Sequence, residues 1–265
     1  MKTIVITGST RGIGYGLATA FLERGCKVVI SGRTQQAVDD SVEKLTQDHD
    51  PANILGISCD VKEAEQVQAL WDGAKAHFGQ VDIWVNNAGI GTGLANFWDI
   101  PHTTTANVVN VNTKGLMIGC SVAIRGMRVQ GSGFVWNMAG LGSDGRRVKR
   151  VLLYGTTKYA LTYLTDGLAR ELKGSPVKIG ALSPGMVITD LLMGDYTEGS
   201  EEWNRAKKIF NILADRVETV TPWLVDKMLS DQKNGAWIRW LTTPKIIWRF
   251  MTARLTRRDP FSKTG

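Results

Sequence analysis

The sequence is poor in cysteine and has no long hydrophobic run. Cys26, Cys59 and Cys120 are isolated within apolar stretches, without the CxxC spacing of a zinc or redox site. No disulfide framework or resident metal is expected, and the three thiols read as reduced core residues. No stretch of about 18 apolar residues exists to span a bilayer. Met1 runs directly into the strand-like Lys2 to Thr7 with no signal or transit segment, so a soluble, cytoplasmic protein is expected. Acidic residues are short of basic ones, 25 against 32, for a formal charge of +7. Such a balance suits an anionic cofactor or membrane surface, but no RNA- or DNA-binding motif accompanies it and no nucleic acid partner is expected.

What is present is enough for one full hydrophobic core: 265 residues, 43% of them hydrophobic. Short β-branched runs recur at 3–7, 27–31, 53–58, 82–86, 133–137 and 177–182, with helical segments between them. Such alternation builds βαβ units, and strands buried on both faces read as continuous apolar runs. The expected fold is α/β: a Rossmann-type, doubly wound parallel sheet in a single domain with a C-terminal helical extension. Residues 1–190 would form the dinucleotide-binding and catalytic core, 191–235 a substrate lid and helices of the same domain, and 236–265 a basic, aromatic extension. Ligands of such sheets sit beyond the carboxyl ends of the strands, so the informative motifs should come directly after strands.

The first motif is Thr7-Gly8-Ser9-Thr10-Arg11-Gly12-Ile13-Gly14, after one strand and before a helix. Its glycines permit a tight turn and a close backbone approach to a pyrophosphate, which a helix N-terminus attracts. The second strand ends Ser31-Gly32-Arg33-Thr34, with no acidic residue for the ribose hydroxyls of NAD. Gly32 would leave space there, and Arg33, helped by Arg11, could hold a 2′-phosphate. The cofactor is therefore read as NADPH; the alternative is that both arginines are solvated surface charges. Asp60, followed by Val61, could bond an adenine amino group or cap the next helix. Asn86-Asn87-Ala88-Gly89 offers small residues against an adenosine ribose and an asparagine to brace neighbouring strands.

Tyr154 and Lys158 stand at i and i+4 at the head of an apolar helix. That spacing puts the ammonium one turn from the phenol, where a positive charge favours the phenolate. A tyrosine tuned in this way can exchange a proton with a carbonyl or alcohol oxygen.

Thr7-Gly8-x-x-x-Gly12-x-Gly14, Asn86 to Gly89, Asn112, Tyr154-x-x-x-Lys158 and Pro184-Gly185 resemble, in order and spacing, the short-chain dehydrogenase/reductase family over residues 1 to 190. The resemblance implies hydride transfer with Tyr154 as general acid in carbonyl reduction, Lys158 lowering its pKa and binding the nicotinamide ribose, and Asn112 holding a water of a proton relay. Asn112 could instead satisfy backbone groups at a helix kink. It is preferred to Asn110 because the family pattern here is Asn-x-x-Gly. The resemblance also places Val187 at the nicotinamide amide and Thr189 at the amide or pyrophosphate, although Thr189 could equally cap a helix. Homo-oligomers are common in the family.

One departure stands out. The family usually presents a serine about 13 residues before the tyrosine, where this chain has Leu141. Ser143 is the nearby hydroxyl, flanked by glycines that could bring it into the site; otherwise it is an ordinary loop serine.

Asn137-Met138-x-Gly140-x-Gly142-Ser143-Asp144-Gly145, Tyr154-Gly155-x-Thr157-Lys158, the run from Leu182 to Met193, Phe210 to Asp215 and Ile238 to Thr242 resemble the chlorophyll b reductase branch. That implies NADPH-dependent reduction of the 7-formyl group of chlorophyll(ide) b to hydroxymethyl. Other aldehydes or ketones remain alternative substrates, and an NADPH-binding sensor without turnover is a third reading. Leu192, Met193, Tyr196, Trp203, Ile209 and Phe210 would form a lid over an apolar substrate or pack a helix. The tail alternates Trp237, Trp240, Trp248, Phe250 and Met251 with Arg239, Lys245, Arg249, Arg254, Arg257 and Arg258. It would lie on an anionic membrane or, preferably, dock on the core or another subunit. A trimmed plant protein would belong to the chloroplast.

Overall fold

A computed structural model describes residues 1–194, 196–230, 233–256 and 258–261. Its sheet grows from strand β1 (Thr3–Ile6), followed by helix α1 (Gly12–Leu22), β2 (Lys27–Gly32), α2 (Gln35–Thr46), β3 (Ile54–Ser58), α3 (Ala64–Phe78) and β4 (Ile83–Asn86). Then come α4 (His102–Val109), a π-helical stretch Asn110–Gly115, α5 (Leu116–Gln130), β5 (Gly133–Met138), α6 (Leu152–Glu171) and β6 (Val177–Ser183). These six strands fall on the six apolar runs expected from the sequence.

All pairings are parallel, and the spatial order is β3-β2-β1-β4-β5-β6, continued by a seventh strand, β9 (Ala236–Arg239). The chain winds outward from β1 to β3 and then restarts on the other side of β1 with β4. The crevice between β1 and β4 is thus the switch point at which doubly wound sheets bind ligands.

Successive side chains of each strand face opposite layers. Ile4, Ile6, Val28, Ile30, Val85 and Trp136 pack with α1 and α9 (Val217–Leu229), whereas Val5, Val29, Trp84, Val135 and Ile179 pack with α3, α5 and α6. Both faces are covered, which is why these strands show no polar alternation. Burial pushes the thiols of Cys59 and Cys120 up to about 12, so they remain protonated core groups.

The segment after β6 forms β7 (Met186–Val187), α7 (Asp190–Met193), α8 (Glu201–Leu213) and β8 (Ala214–Asp215), with β7 and β8 paired parallel. Trp203 and Phe210 are buried here in a small core of their own with Leu192, Met193, Tyr196 and Phe261. Most of the side chains read as a lid lining therefore pack on one another, while Leu191 and Ile209 stay largely exposed.

Residues 236–239, read from sequence as the start of an extension, belong to the main sheet. Beyond this strand the chain docks on the core. Trp240 Nε1 donates to Asp215 Oδ2 at 2.7 Å, and α10 (Thr243–Thr256) sends Arg249 inward to Leu213 O at 2.9 Å and Asp215 Oδ1 at 3.0 Å. Arg258 reaches Asp215 Oδ1 as well, at 2.5 Å. Burial opposes ionisation of Asp215, but the bonds from Arg249 and Trp240 and the two guanidinium charges outweigh it and hold the carboxyl below its ordinary range. Arg257, counted among the basic residues of the tail, lies outside the described residues. No described helix is long and apolar enough to cross a membrane.

Candidate active site

The glycine-rich turn sits at the switch point. Gly8 and Gly12 have φ of +61° and +56°, a region that favours glycine. A Cβ on Gly8 would lie 2.9 Å from Ala88 Cα, and one on Gly14 would lie 2.4 Å from Gly8 O. Neither position has room for a side chain, so the turn draws tight against the end of β4. Ser9 is fully buried and fixes the bend, its hydroxyl donating to Ile6 O at 2.8 Å and its amide to Ser31 O at 2.8 Å.

Thr7 Oγ1 accepts from the amides of Asn87 (3.0 Å) and Ala88 (3.1 Å), and Asn87 Nδ2 donates to Thr7 O and Gly8 O. The first helix begins at Gly12 with Arg11 in the capping position, without a side-chain cap and without an acidic residue in the first turn. Its amides, with Ile13 in the opening turn, are thus available to an anion. An uncapped helix end beneath a cradle that tolerates no Cβ fits the pyrophosphate of a dinucleotide.

Around this cradle the expected cofactor residues separate. Arg33 is exposed just beyond β2. Arg11 forms an exposed ion pair with Asp190 at 3.3 Å, which ties it to the start of α7. The space expected at Gly32 is taken, because a Cβ there would lie 2.6 Å from Thr10 Cγ2. Asp60 acts as a turn cap, with Oδ1 accepting from the Lys62 amide at 3.1 Å, and Val61 packs against Gly115. Thr189 occupies the cap position of α7 without making a side-chain cap bond, and its methyl lies over Gly12. Pro184-Gly185 turns with φ of +75° at Gly185 and packs under Leu241, and Val187 is buried in the small sheet. Gly89 faces Asn112 and Lys158, at 3.5 and 3.7 Å from where its Cβ would be.

The Tyr154 and Lys158 pair lies in the first two turns of α6. Lys158 is 6% exposed and donates from Nζ to Met138 O at 2.9 Å, and Nζ stands 5.7 Å from the centre of the Tyr154 ring. Burial lowers its pKa from 10.5 to about 8. Gly140 passes so close that a Cβ there would fall 2.5 Å from the Tyr154 hydroxyl.

Asn112 lies in the π-helical stretch, and such stretches often mark functional sites. It is buried where Asn110 is exposed, so the two candidates face different environments. Its amide serves the backbone, as in the alternative reading, accepting from Ile90 N and donating to Ile90 O, both at 2.9 Å, and also donates to Thr157 Oγ1 at 3.2 Å. It further lines a cavity of about 10 Å³ shared with Lys158, Thr7 and Asn86. That is about the space one water occupies, and the lining is polar enough to hold it.

Ser143 is buried against the same helix. Its amide donates to Gly140 O at 3.1 Å and its carbonyl accepts from Thr162 Oγ1 at 2.7 Å. Gly142 makes this approach possible, since a Cβ on it would strike Gly155 Cα at 2.6 Å. Leu141, in the position where the family places its serine, is largely exposed.

Three supporting residues are given no site role by the sequence, although Asn137 and Thr157 stand in the stretches that resemble the chlorophyll b reductase branch. Thr157 and Thr162 brace Asn112 and Ser143, although their i+3 and i+8 spacing from Tyr154 on one helix is a usable signal. Asn137, by contrast, joins Asn86 Nδ2 (2.9 Å) and Thr165 Oγ1 (2.9 Å) in a buried network under the site that only the folded sheet brings together.

Comparison with known proteins identifies the family and the fold. The family model described as short chain dehydrogenase matches residues 2–198. Chlorophyll(ide) b reductase NOL, chloroplastic, of Oryza sativa subsp. japonica is 38% identical over 260 residues, covering 94% of this chain and 74% of that protein. The solved structure of ElxO with NADP bound superposes with a TM-score of 0.80 at 25% identity, over 90% of this chain and 96% of that one. A 3-ketoacyl-(acyl-carrier-protein) reductase from Brucella melitensis complexed with NADH shares the fold, with a TM-score of 0.78 at 24% identity over 90% and 96% of the two chains. With the family match running from the first strand past α6, and identity sustained along nearly the whole chain, this protein belongs to the short-chain dehydrogenase/reductase family of oxidoreductases.

Proposed function

We propose that this protein is an NADPH-dependent carbonyl reductase that converts the 7-formyl group of chlorophyll(ide) b to hydroxymethyl. Membership of the family supports a nicotinamide cofactor and oxidoreductase chemistry, and the similarity to a chlorophyll(ide) b reductase along 94% of the chain supports the pigment as substrate. The observation that carries the catalytic reading is Tyr154 beside a buried Lys158, next to a glycine cradle fit for a dinucleotide.

When bound, the reduced nicotinamide supplies the hydride that the carbonyl carbon accepts. Tyr154 gives its phenolic proton to the carbonyl oxygen, which leaves an alcohol and a phenolate. Lys158 favours the phenolate electrostatically and binds the nicotinamide ribose. Asn112 holds a water in the small cavity beside Lys158, through which the proton is restored. Ser143 donates to the carbonyl oxygen as charge builds on it, a contribution typically of about 3 kcal/mol for one such donor.

Gly8, Ser9, Thr10, Arg11, Gly12, Ile13 and Gly14 cradle the pyrophosphate and Arg33 holds the 2′-phosphate. Asp60 and Val61 meet the adenine, while Asn87, Ala88 and Gly89 back the ribose. Pro184, Gly185, Val187 and Thr189 close over the nicotinamide side. Leu191, whose Cδ1 would meet a Cβ on Gly91 at 3.3 Å, reaches from the lid to the loop after β4 and gives the substrate an apolar cover.

Self-association is expected through α5 and α6, where Met117, Tyr159 and Tyr163 are exposed beside an apolar hollow of about 230 Å³. The decisive experiment is turnover of chlorophyllide b with NADPH and, separately, NADH, followed by the pigment spectrum. Reduction with NADPH that is lost in Tyr154→Phe, with NADPH binding retained, supports the whole reading. Turnover of simple aldehydes but not of the pigment would replace the substrate, and NADPH binding without any turnover would favour a sensor.

A further inference from the structure

The last helix is arranged inside out. Arg249, its buried residue at 7% exposure, points inward to Asp215, while Ile247, Trp248, Met251 and Leu255 are 54%, 55%, 70% and 84% exposed. Positions 247, 248, 251 and 255 form one stripe at helical spacing with position 254, an arginine, at its edge, so among the described side chains the water-facing side is the apolar one. A helix of a soluble protein ordinarily shows the reverse.

The display is fixed rather than incidental. Asp215 is held by Arg249, Arg258 and Trp240 at once, and Arg249 also bonds Leu213 O, so the helix cannot roll its stripe inward without breaking a buried ion pair.

Charge identifies the occupant. Residues 236–265 contain seven basic side chains and one acidic one, a net +6 of the +7 carried by the entire chain. A second copy presenting the same face would bring like charge against like. An anionic partner with an apolar interior meets both features, and a tryptophan at the margin of the stripe suits the boundary between headgroups and acyl chains.

We infer that the outward face of α10 seats this protein on an anionic lipid surface, with Trp248, Met251 and Leu255 entering the acyl boundary. The helix packs on α8, so the lid would stand next to the lipid. This inference does not depend on the identity of the substrate and would hold for a reductase of any apolar carbonyl compound.

The test is co-sedimentation of the full chain with phosphatidylcholine vesicles, with and without phosphatidylglycerol. Binding is expected to the anionic vesicles, to be weaker on the neutral ones, and to fall as salt is raised. The variant Met251→Glu/Leu255→Glu should lose at least about tenfold in partitioning, since it removes two apolar groups and adds two negative charges. Its melting temperature and its turnover of a small water-soluble aldehyde should stay unchanged. Absence of wild-type binding, or equal binding of wild type and variant, would overturn the inference. So would a variant that dissociates to a smaller oligomer in the absence of vesicles, which would assign the stripe to a second copy.

Discussion

Arg150 and Glu202 join the loop after β5 to the first turn of α8, with Arg150 Nη1 lying 2.6 Å from Glu202 Oε1. The same arginine donates from Nη2 to Leu94 O at 3.0 Å and accepts at its carbonyl from Ala95 N at 3.0 Å. Three segments around the site meet at this one residue. It is also the non-glycine residue with positive φ among the described residues, at +68°. Such a conformation costs about 1–2 kcal/mol, and a half-exposed ion pair returns at most about 1 kcal/mol. The ion pair alone therefore does not offset the strain, and the joint's consequence is the position of α8 relative to the loops after β4 and β5.

Replacing Arg150 should accordingly affect large substrates more than the fold. Arg150→Ala is expected to raise KM for the pigment roughly tenfold, in line with losing about 1.4 kcal/mol of positioning, and to leave a small aldehyde nearly unaffected. Arg150→Gly should be more stable than Arg150→Ala by about 1 kcal/mol, because glycine relieves the left-handed strain. Paired steady-state kinetics and denaturant melts check both, and equal KM effects on the two substrates would remove the lid role.

The sheet was legible because its strands are buried on both faces, and each therefore announces itself as an apolar run from Thr3 to Ile6 or from Val177 to Ser183. The seventh strand was not. Ala236–Arg239 pairs on one side only, at the edge, and its Trp237 and Arg239 read as part of a basic tail. Tyr154, Lys158 and the glycine turn could be found because each depends on spacing within one element. Arg150 sits in the run Arg146-Arg147-Val148-Lys149-Arg150, which looks like a solvated loop, and nothing local signals a positive φ. Asp215 was equally opaque, since its arginine partners lie 34 and 43 positions away.

Gly140 offers a way to disturb the tyrosine without touching it. A Cβ at this position would stand 2.5 Å from the Tyr154 hydroxyl and 3.2 Å from Lys158 Cε, so the hydroxyl must move. Gly140→Ala is expected to lower kcat by about a hundredfold, the scale of a displaced proton donor. NADPH affinity should change little, which fluorescence titration would check. Unchanged kcat would mean that the hydroxyl has freedom the geometry does not suggest.

Cofactor choice should turn on Arg33. A charge-assisted bond to a 2′-phosphate is worth about 1.5–3 kcal/mol, so Arg33→Ala should weaken NADPH by about ten- to a hundredfold and leave NADH almost unchanged. Placing the acid at Gly32 instead should fail to create an NADH enzyme, because the new Cβ would meet Thr10 at 2.6 Å. Comparison of kcat/KM with each nucleotide decides both cases. If Arg33→Ala weakened the two nucleotides equally, the arginine would be acting as general positive charge.

Lys158 links catalysis to stability through pH. Its pKa is lowered by burial from 10.5 to about 8, so the folded protein holds this proton less firmly than the unfolded chain does. Below pH 8 both states are protonated, and the fold carries the full cost of a buried charge, on the order of 3 kcal/mol. Between pH 8 and 10.5 the unfolded chain binds the proton and the folded one does not, so this cost is relieved as pH rises. Lys158→Met removes the charge at the further cost of leaving Met138 O without its donor, roughly 1–3 kcal/mol. Relative to wild type, the variant should therefore lose on the order of 3 kcal/mol between pH 8 and 10.5, whatever the sign of the difference at pH 7. Groups remote from Lys158 are common to both proteins and cancel in that comparison, and making both proteins in a Tyr154→Phe background removes the neighbour whose titration the lysine shifts. Urea melts of the two proteins at pH 7, 9 and 10.5, without nucleotide, measure the slope. A difference independent of pH would mean that Lys158 keeps its ordinary affinity for the proton and that water reaches it.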